Sequence, residues 1–271
     1  MNRLLFAYFL FACVLCMVTS SCNNEGKNKE DTETFVILMG GQSNMVGKGD
    51  RGYLADSISM SKNIRFLDYD KDMKLKKEGT TFGPEYGLAQ VLSREFPTTN
   101  FIFVKYASDG ATLYNWDPEF SKINSSDVED DSLGDMYTHF LSVINKDIPS
   151  DATPLAFLWL HGEDDKAIHN AGKEYKENLD HIIRSFRRDL KNNNLPFIIG
   201  LTRVECGKQV CMAQKDLAFE LPQVYLVETC DLSMHSDQVH YNDKGLMDLG
   251  RRFGTQIVRI IKKQRHKIIS F

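Results

Sequence analysis

The chain has 271 residues, 42% hydrophobic and 26% charged, the composition of a globular protein long enough for one sizeable α/β core. A formal net charge of -4 and a pI near 6.0 supply no basic field to gather phosphates, and no glycine-rich loop opening a helix resembles a nucleotide cradle. No nucleic-acid partner is expected.

Residues 1–22 differ from everything after them. Asn2 and Arg3 precede a mostly apolar run from Leu4 to Val18, followed by Thr19-Ser-Ser-Cys22, and this order is that of a secretory signal. The small residues running into Cys22 resemble a bacterial lipobox, with Thr19 at the usual leucine position. Cys22 is therefore the expected lipidation site, and plain secretion is the alternative. Residues 23–33 read as a flexible tether and 34–271 as the folded domain. The expected location is a bacterial cell envelope, with a membrane contacted only through the lipid. Of six cysteines, Cys206, Cys211 and Cys230 lie in the domain. Cys206 and Cys211 are spaced to close a small loop, but the odd count leaves the pairing open.

The domain alternates strand and helix. Phe35-Val-Ile-Leu-Met39 is a buried strand that ends in Gly40-Gly41 and then presents Gln42-Ser43-Asn44. A short strand is expected at 63–68, inside an otherwise polar excursion. Gly83-Pro84-Glu85 opens a helix with Tyr86, Ala89, Leu92 and Phe96 on one face, ended by Pro97. A strand over 101–106 leads into the small-residue loop Ala107-Ser-Asp-Gly-Ala-Thr-Leu113, with Trp116 close behind. Trp116 is a candidate sugar platform as well as a packing residue. A helix over about 134–147 buries Met136, Phe140, Val143 and Ile144. The apolar run 155–160 delivers His161-Gly-Glu-Asp-Asp165 to the same edge. A long helix to about Lys191 follows, then strands at 197–201 and 224–227 around a short helix near 210–219, and a final helix over about 243–263. This alternation predicts an α/β/α sandwich around a parallel sheet of about five strands.

A serine hydroxyl needs a base to take its proton, and Asp237-Gln-Val-His240 places a carboxylate and an imidazole three residues apart near the end of the chain. Ser43 is the candidate nucleophile, His240 its base and Asp237 the orienter of the ring. His161, Glu163, Asp164, Asp165, His235 and His240 are of metal-ligating type, but no tight two-histidine helix motif is present. No metal or other cofactor is expected.

These motifs together resemble the SGNH hydrolases, within them the branch of sialate O-acetylesterase and plant-type acetylxylan esterase domains. Gly41-Gln-Ser-Asn44, Gly83-Pro-Glu85, Ala107-Ser-Asp-Gly110, Trp159-Leu-His-Gly-Glu163 and Asp237-Gln-Val-His240 are similar to its blocks, in order, across about 35–261. The resemblance implies a three-layer sandwich and metal-independent release of acetate from an acetylated oligo- or polysaccharide by a monomer. Ser43 would form an acetyl-enzyme whose oxyanion meets the N–H groups of Ser43 and Gly110. Gln42, Asn44, Glu163 and Trp116 would line the oxyanion and substrate region. Two positions depart from the pattern: His161 replaces a glutamine expected to donate to the oxyanion, and Asp109 replaces a second glycine. A neutral imidazole offers one donor, so His161 is the expected replacement. The same departures motivate an alternative, a glycan-binding lipoprotein of little or no activity on an esterase scaffold.

Overall fold

The apolar run after Glu33 is the centre of the sheet in the computed structural model, which describes residues 33–54, 61–77, 79–123, 131–149, 152, 154–165 and 171–269. The expected signal, Cys22 and nearly all of the tether lie outside the described residues. In chain order the elements are β1 (Thr34–Gly41), α1 (Ser43–Val46), β2 (Gly49–Asp50), β3 (Ile64–Tyr69), β4 (Thr81–Phe82), α2 (Glu85–Glu95) and β5 (Asn100–Ala107). They continue with α3 (Met136–Asp147), β6 (Pro154–Leu160), α4 (Ala171–Asp189), β7 (Phe197–Gly200), α5 (Val204–Glu220), β8 (Val224–Val227) and α6 (Asp243–Ile269). Among the described residues one parallel sheet has six strands in the order β3-β5-β1-β6-β7-β8, and β2 and β4 form a small antiparallel pair.

The inner strands are largely apolar because both faces are covered, β6 and β7 being buried along their whole length. Alternate residues of β1 enter opposite cores, Val36 and Leu38 on one face and Ile37 and Met39 on the other. Phe157 and Trp159 of β6 follow the first pair, and Leu158 and Leu160 the second. Helices α3, α4 and α5 close the first face with Phe140, Ile183, Phe186 and Leu217, and α2 and α6 close the other with Leu88, Leu92, Leu249 and Phe253. The result is the expected three-layer α/β/α sandwich.

The differences from expectation are local. Residues 64–69 join as an edge strand and raise the sheet to six, since Ile64, Leu67 and Tyr69 are buried despite the polar residues between them. The helix expected near 210–219 begins at Val204, because two helical pieces join across a non-helical Gly207. Cys211 is a buried free thiol and Cys230 an exposed one, so the small loop between Cys206 and Cys211 is not closed.

β1 is the switch point of the topology. The chain leaves it for β3 and β5 on one side, then crosses to β6, β7 and β8 on the other. In open α/β sheets such a crevice at the carboxyl edge is where ligands sit. On the α2/α6 face two glycines bring the helices into backbone contact. A Cβ at Gly87 would lie 2.1 Å from the Met247 carbonyl oxygen, and one at Gly250 2.0 Å from that of Pro84. A glycine-to-alanine change inside a helix normally gains about 1 kcal/mol. Here the clash outweighs that gain, so Gly250→Ala is expected to destabilise the fold by about 2 kcal/mol. Urea denaturation measures it, and a more stable variant would contradict the close approach.

Candidate active site

β1 runs into two glycines because nothing larger fits. Gly41 has φ +149°, and a Cβ there would lie 2.0 Å from the Leu160 carbonyl oxygen. The strand thus ends hard against β6, and the Gln42 N–H donates to that same carbonyl at 3.1 Å. Ser43 follows at once as the first residue of α1, with 5% of its surface exposed.

The residues on either side of Ser43 hold this turn. The Gln42 side chain donates to Asp164 Oδ2 at 2.6 Å and accepts from the Gly162 N–H at 2.7 Å, tying the turn to the loop after β6. The Asn44 amide donates to Glu163 Oε1 at 2.8 Å and to the Val239 carbonyl at 3.1 Å, and its Oδ1 accepts from the Tyr241 N–H at 3.1 Å. Gln42, Asn44 and Glu163 are all buried. They brace the turn through these bonds, and Glu163 Oε2 is buried with no hydrogen-bond partner.

Asn44 also delivers the base. Val239 and Tyr241 flank His240, whose Nε2 lies 3.0 Å from Ser43 Oγ. Its Nδ1 lies 2.7 Å from Asp237 Oδ2, while Asp237 Oδ1 accepts the backbone N–H groups of Val239 and His240, both at 2.9 Å. Burial raises the Asp237 carboxyl pKa, but hydrogen bonds from the His240 backbone and ring and from Val239 outweigh it and bring it to about 2. Asp237 is then an acceptor only, so Nδ1 carries the proton and the Nε2 lone pair faces the serine hydroxyl. The structure brings Ser43, His240 and Asp237 together from positions 43 and 237–240.

Gly110 lies in the loop after β5, in the left-handed region at φ +72°, and no atom stands within 4 Å of where its Cβ would be. Among the described residues the N–H groups of Ser43 and Gly110 donate to no other atom of the chain. Both remain available to an incoming oxygen.

His161 and Trp116 are placed differently from expectation. Trp116 has no exposed surface and packs edge-on against Tyr106, Phe140 and Trp159, so it belongs to the core. The His161 ring is also fully buried, stacked on Trp159 at 5.1 Å between centroids, with Nδ1 3.3 Å from Asp165 Oδ2. It presents no surface to an oxyanion. Burial pushes the His161 pKa down to about 3 against the pull of the Ala111 and Thr112 carbonyls. Burial also pushes Asp165 up to about 8, opposed by the Leu113 N–H that donates to its Oδ1 at 2.9 Å. The two form a neutral contact near pH 7, with a protonated carboxyl facing an unprotonated ring, and not an ion pair. Burial likewise holds Glu163 above the usual carboxylate range, with the Asn44 hydrogen bond acting against it.

Two supporting residues, Lys105 and Lys48, escaped the sequence reading, and Asp165 was singled out there only as a residue of metal-ligating type. Asp165 reaches across to the loop that carries Gly110. Lys105, buried in β5, donates to the Val46 carbonyl at the end of α1 and to Glu85 Oε2, both at 3.1 Å, and sits 3.1 Å from Asp68 Oδ2. Glu85 gains a purpose from this, accepting the Gly83 N–H at 2.8 Å with its other oxygen. Lys48 pairs with Asp109 at 2.7 Å. The one available signal was a lysine inside an apolar strand, which demands buried partners. Among the described residues no group of three or more His, Cys, Asp or Glu side chains is placed to hold a metal ion.

A parallel α/β/α sandwich with a serine, an imidazole and a carboxylate in hydrogen-bonded series at its carboxyl edge defines a hydrolase-like class of protein. The chain belongs to the family described as carbohydrate esterase, sialic acid-specific acetylesterase, whose profile matches residues 33–259. A probable carbohydrate esterase of Arabidopsis thaliana is 22% identical over 240 residues, covering 79% of this chain and 86% of that protein. A solved Arabidopsis thaliana protein shares the fold with a TM-score of 0.68 at 20% identity, over 84% of this chain and 98% of its own. NanS does so with 0.61 at 13% identity, over 86% and 98%. A carbohydrate acetylesterase from Xanthomonas citri does so with 0.59 at 16% identity, over 81% and 54%.

Two outcomes check this geometry. Asn44→Ala strands the Tyr241 N–H and Glu163 in a buried site, and is expected to cost about 2 kcal/mol of stability by urea denaturation. The His161–Asp165 contact also shapes stability against pH. The raised Asp165 contributes stability that is lost as pH rises from its unfolded value of 3.8 through about 8. The depressed His161 contributes stability present above 6.5 and lost as pH falls toward about 3. The two slopes oppose between 3.8 and 6.5. Asp165→Asn is therefore expected to flatten the alkaline fall from pH 6.5 to 8 relative to wild type, and His161→Gln the acid fall, in denaturation midpoints measured across pH.

Proposed function

We propose that this carbohydrate esterase removes acetyl groups from sugar hydroxyls through an acetyl-enzyme on Ser43, without a metal. The observation that carries this reading is the continuous series Ser43 Oγ to His240 Nε2 at 3.0 Å and His240 Nδ1 to Asp237 Oδ2 at 2.7 Å. His240 takes the serine proton as Oγ attacks the acetyl carbonyl, and the ionised Asp237 stabilises the resulting imidazolium. The ring then returns the proton to the departing sugar alkoxide. Water repeats the cycle from the same side, and acetate leaves. The N–H groups of Ser43 and Gly110 receive the developing oxyanion. With His161 buried, those two backbone donors carry the role.

The substrate in this reading is an acetylated xylan- or sialate-type glycan, and the enzyme acts as a monomer. Cys22 would tether it by lipid to a bacterial envelope, as residues 1–22 suggest; mass spectrometry of the mature N-terminus tests that part directly.

Acetate release from p-nitrophenyl acetate and from acetylated xylan, assayed with EDTA present, tests the chemistry. Ser43→Ala is expected to lower kcat at least about 10³-fold on both esters without loss of fold. Asp237→Asn, which offers Nδ1 a donor in place of an acceptor, should lower it by roughly 10³ to 10⁴. Undiminished turnover by Ser43→Ala would remove the acetyl-enzyme, and inactivation by EDTA would remove metal independence.

A further inference from the structure

β1 and β5 run parallel in register with Gly41 opposite Ala107, so Ser43 and Asp109 each lie two residues past the same level of the sheet. The segment after α1 and the loop after β5 are joined by Lys48 Nζ and Asp109 Oδ2 at 2.7 Å, with 35% and 58% of the side chains exposed. An exposed pair of this kind adds little to stability, which is little reason for it to stand here. Its place is more informative. Asp109 adjoins Gly110, and the space in front of Gly110 is empty of any atom within 4 Å of a built Cβ, so no side chain of the chain fills that space. Lys48 follows Gly47, whose left-handed φ of +97° is enforced by the Phe82 carbonyl oxygen 2.2 Å from where its Cβ would be. The backbone before Lys48 is thus closely held, while the space beside Asp109 is open.

We propose that Lys48 and Asp109 form a subsite that binds the hydroxyls of the sugar ring next to the acetylated one. The inference rests on the esterase reading above. A carboxylate offers about four lone-pair sites and an ammonium three N–H donors, and their mutual contact uses one of each. What remains is an acceptor and a donor held side by side. A vicinal diol matches that set, since each hydroxyl both donates and accepts. A simple aryl acetate has no hydroxyl to offer. The subsite therefore selects between esters, reading the alcohol part of the substrate while Ser43 attacks the acyl part.

The test compares kcat/KM on acetylated xylo-oligosaccharide and on an O-acetylated sialyl-oligosaccharide, each with a ring beside the acetylated one, with kcat/KM on p-nitrophenyl acetate, using the full chain. Asp109→Gly and Lys48→Met are each expected to lower the sugar-to-aryl ratio about tenfold, mainly through KM, as for loss of a hydrogen bond to a charged group. Asp109→Asn, which keeps an acceptor without the charge, should fall between. An equal change on sugar and aryl esters would overturn the proposal, because the pair would then serve only the Gly110 loop. An unchanged ratio would overturn it too, as would a wild type that prefers neither sugar over the aryl ester. Ser43→Ala in the same assay reports separately on the acetyl-enzyme.

Discussion

The site depends on one buried amide. Asn44 joins the turn after β1, the loop after β6 and the loop before α6, segments separated by 119 and 195 residues of chain. It does so by using both ends of its side chain, donating to Glu163 and Val239 and accepting from Tyr241. Because these partners are buried, the amide is not exchangeable for water, and the cost of leaving them unpaired far exceeds the net worth of a typical exposed hydrogen bond. Ser43 and His240 meet because Asn44 settles where both loops lie. Gln42 works in parallel toward Gly162 and Asp164, so the serine is flanked on both sides by side chains whose task is to fix the backbone. The burial of these polar groups gives the site its rigidity, and a rigid site needs no reorganisation when charge develops at the ester.

The side chain of His161 is spent on packing. Where a glutamine donor was expected, this ring stacks on Trp159 and faces the Asp165 carboxyl, in the core beneath the loops. Its carbonyl oxygen accepts from Tyr175, Thr202 and Gln214 at 3.0, 2.9 and 3.0 Å, so the main chain there is fixed by three donors even though the side chain points inward. Asp165 holds the Leu113 N–H, which steadies the loop that presents Gly110.

How much of this was legible in the sequence follows from the range of the interactions. Strands such as 35–39 and 155–160 read clearly, because burial on both faces demands an unbroken apolar run. The helix faces of α2, α3 and α6 read clearly because their period is local. Asp237 and His240 lie one turn apart, so their pairing was visible too. The braces were not, since nothing near Asn44 in the chain announces Glu163 or Tyr241. Trp116 and His161 were misplaced for a related reason: each stands beside a motif in sequence, but the 3₁₀ turn over 113–116 carries Trp116 into the core, and His161, just past β6, stacks on Trp159. The short edge strand at 64–69 was seen, yet its membership of the sheet depended on Phe101 to Tyr106 lying alongside.

The contact between α2 and α6 has a consequence for how this protein can change. His240 sits in a small closed loop whose ends meet through Met234 and Tyr241, and α6 begins at Asp243, directly after it. α6 is seated on α2 through glycine, and α2 opens after Gly83, which packs against the Met45 and Val46 carbonyls of α1. Nucleophile and base are thus surveyed from the same side of the sheet. The opposite layer enters at the loop after β6, where Tyr175 of α4 and Gln214 of α5 hold the His161 carbonyl next to Gly162 and Glu163. Beyond those two anchors its connections can change in length over evolutionary time while the spacing of serine and imidazole is inherited intact.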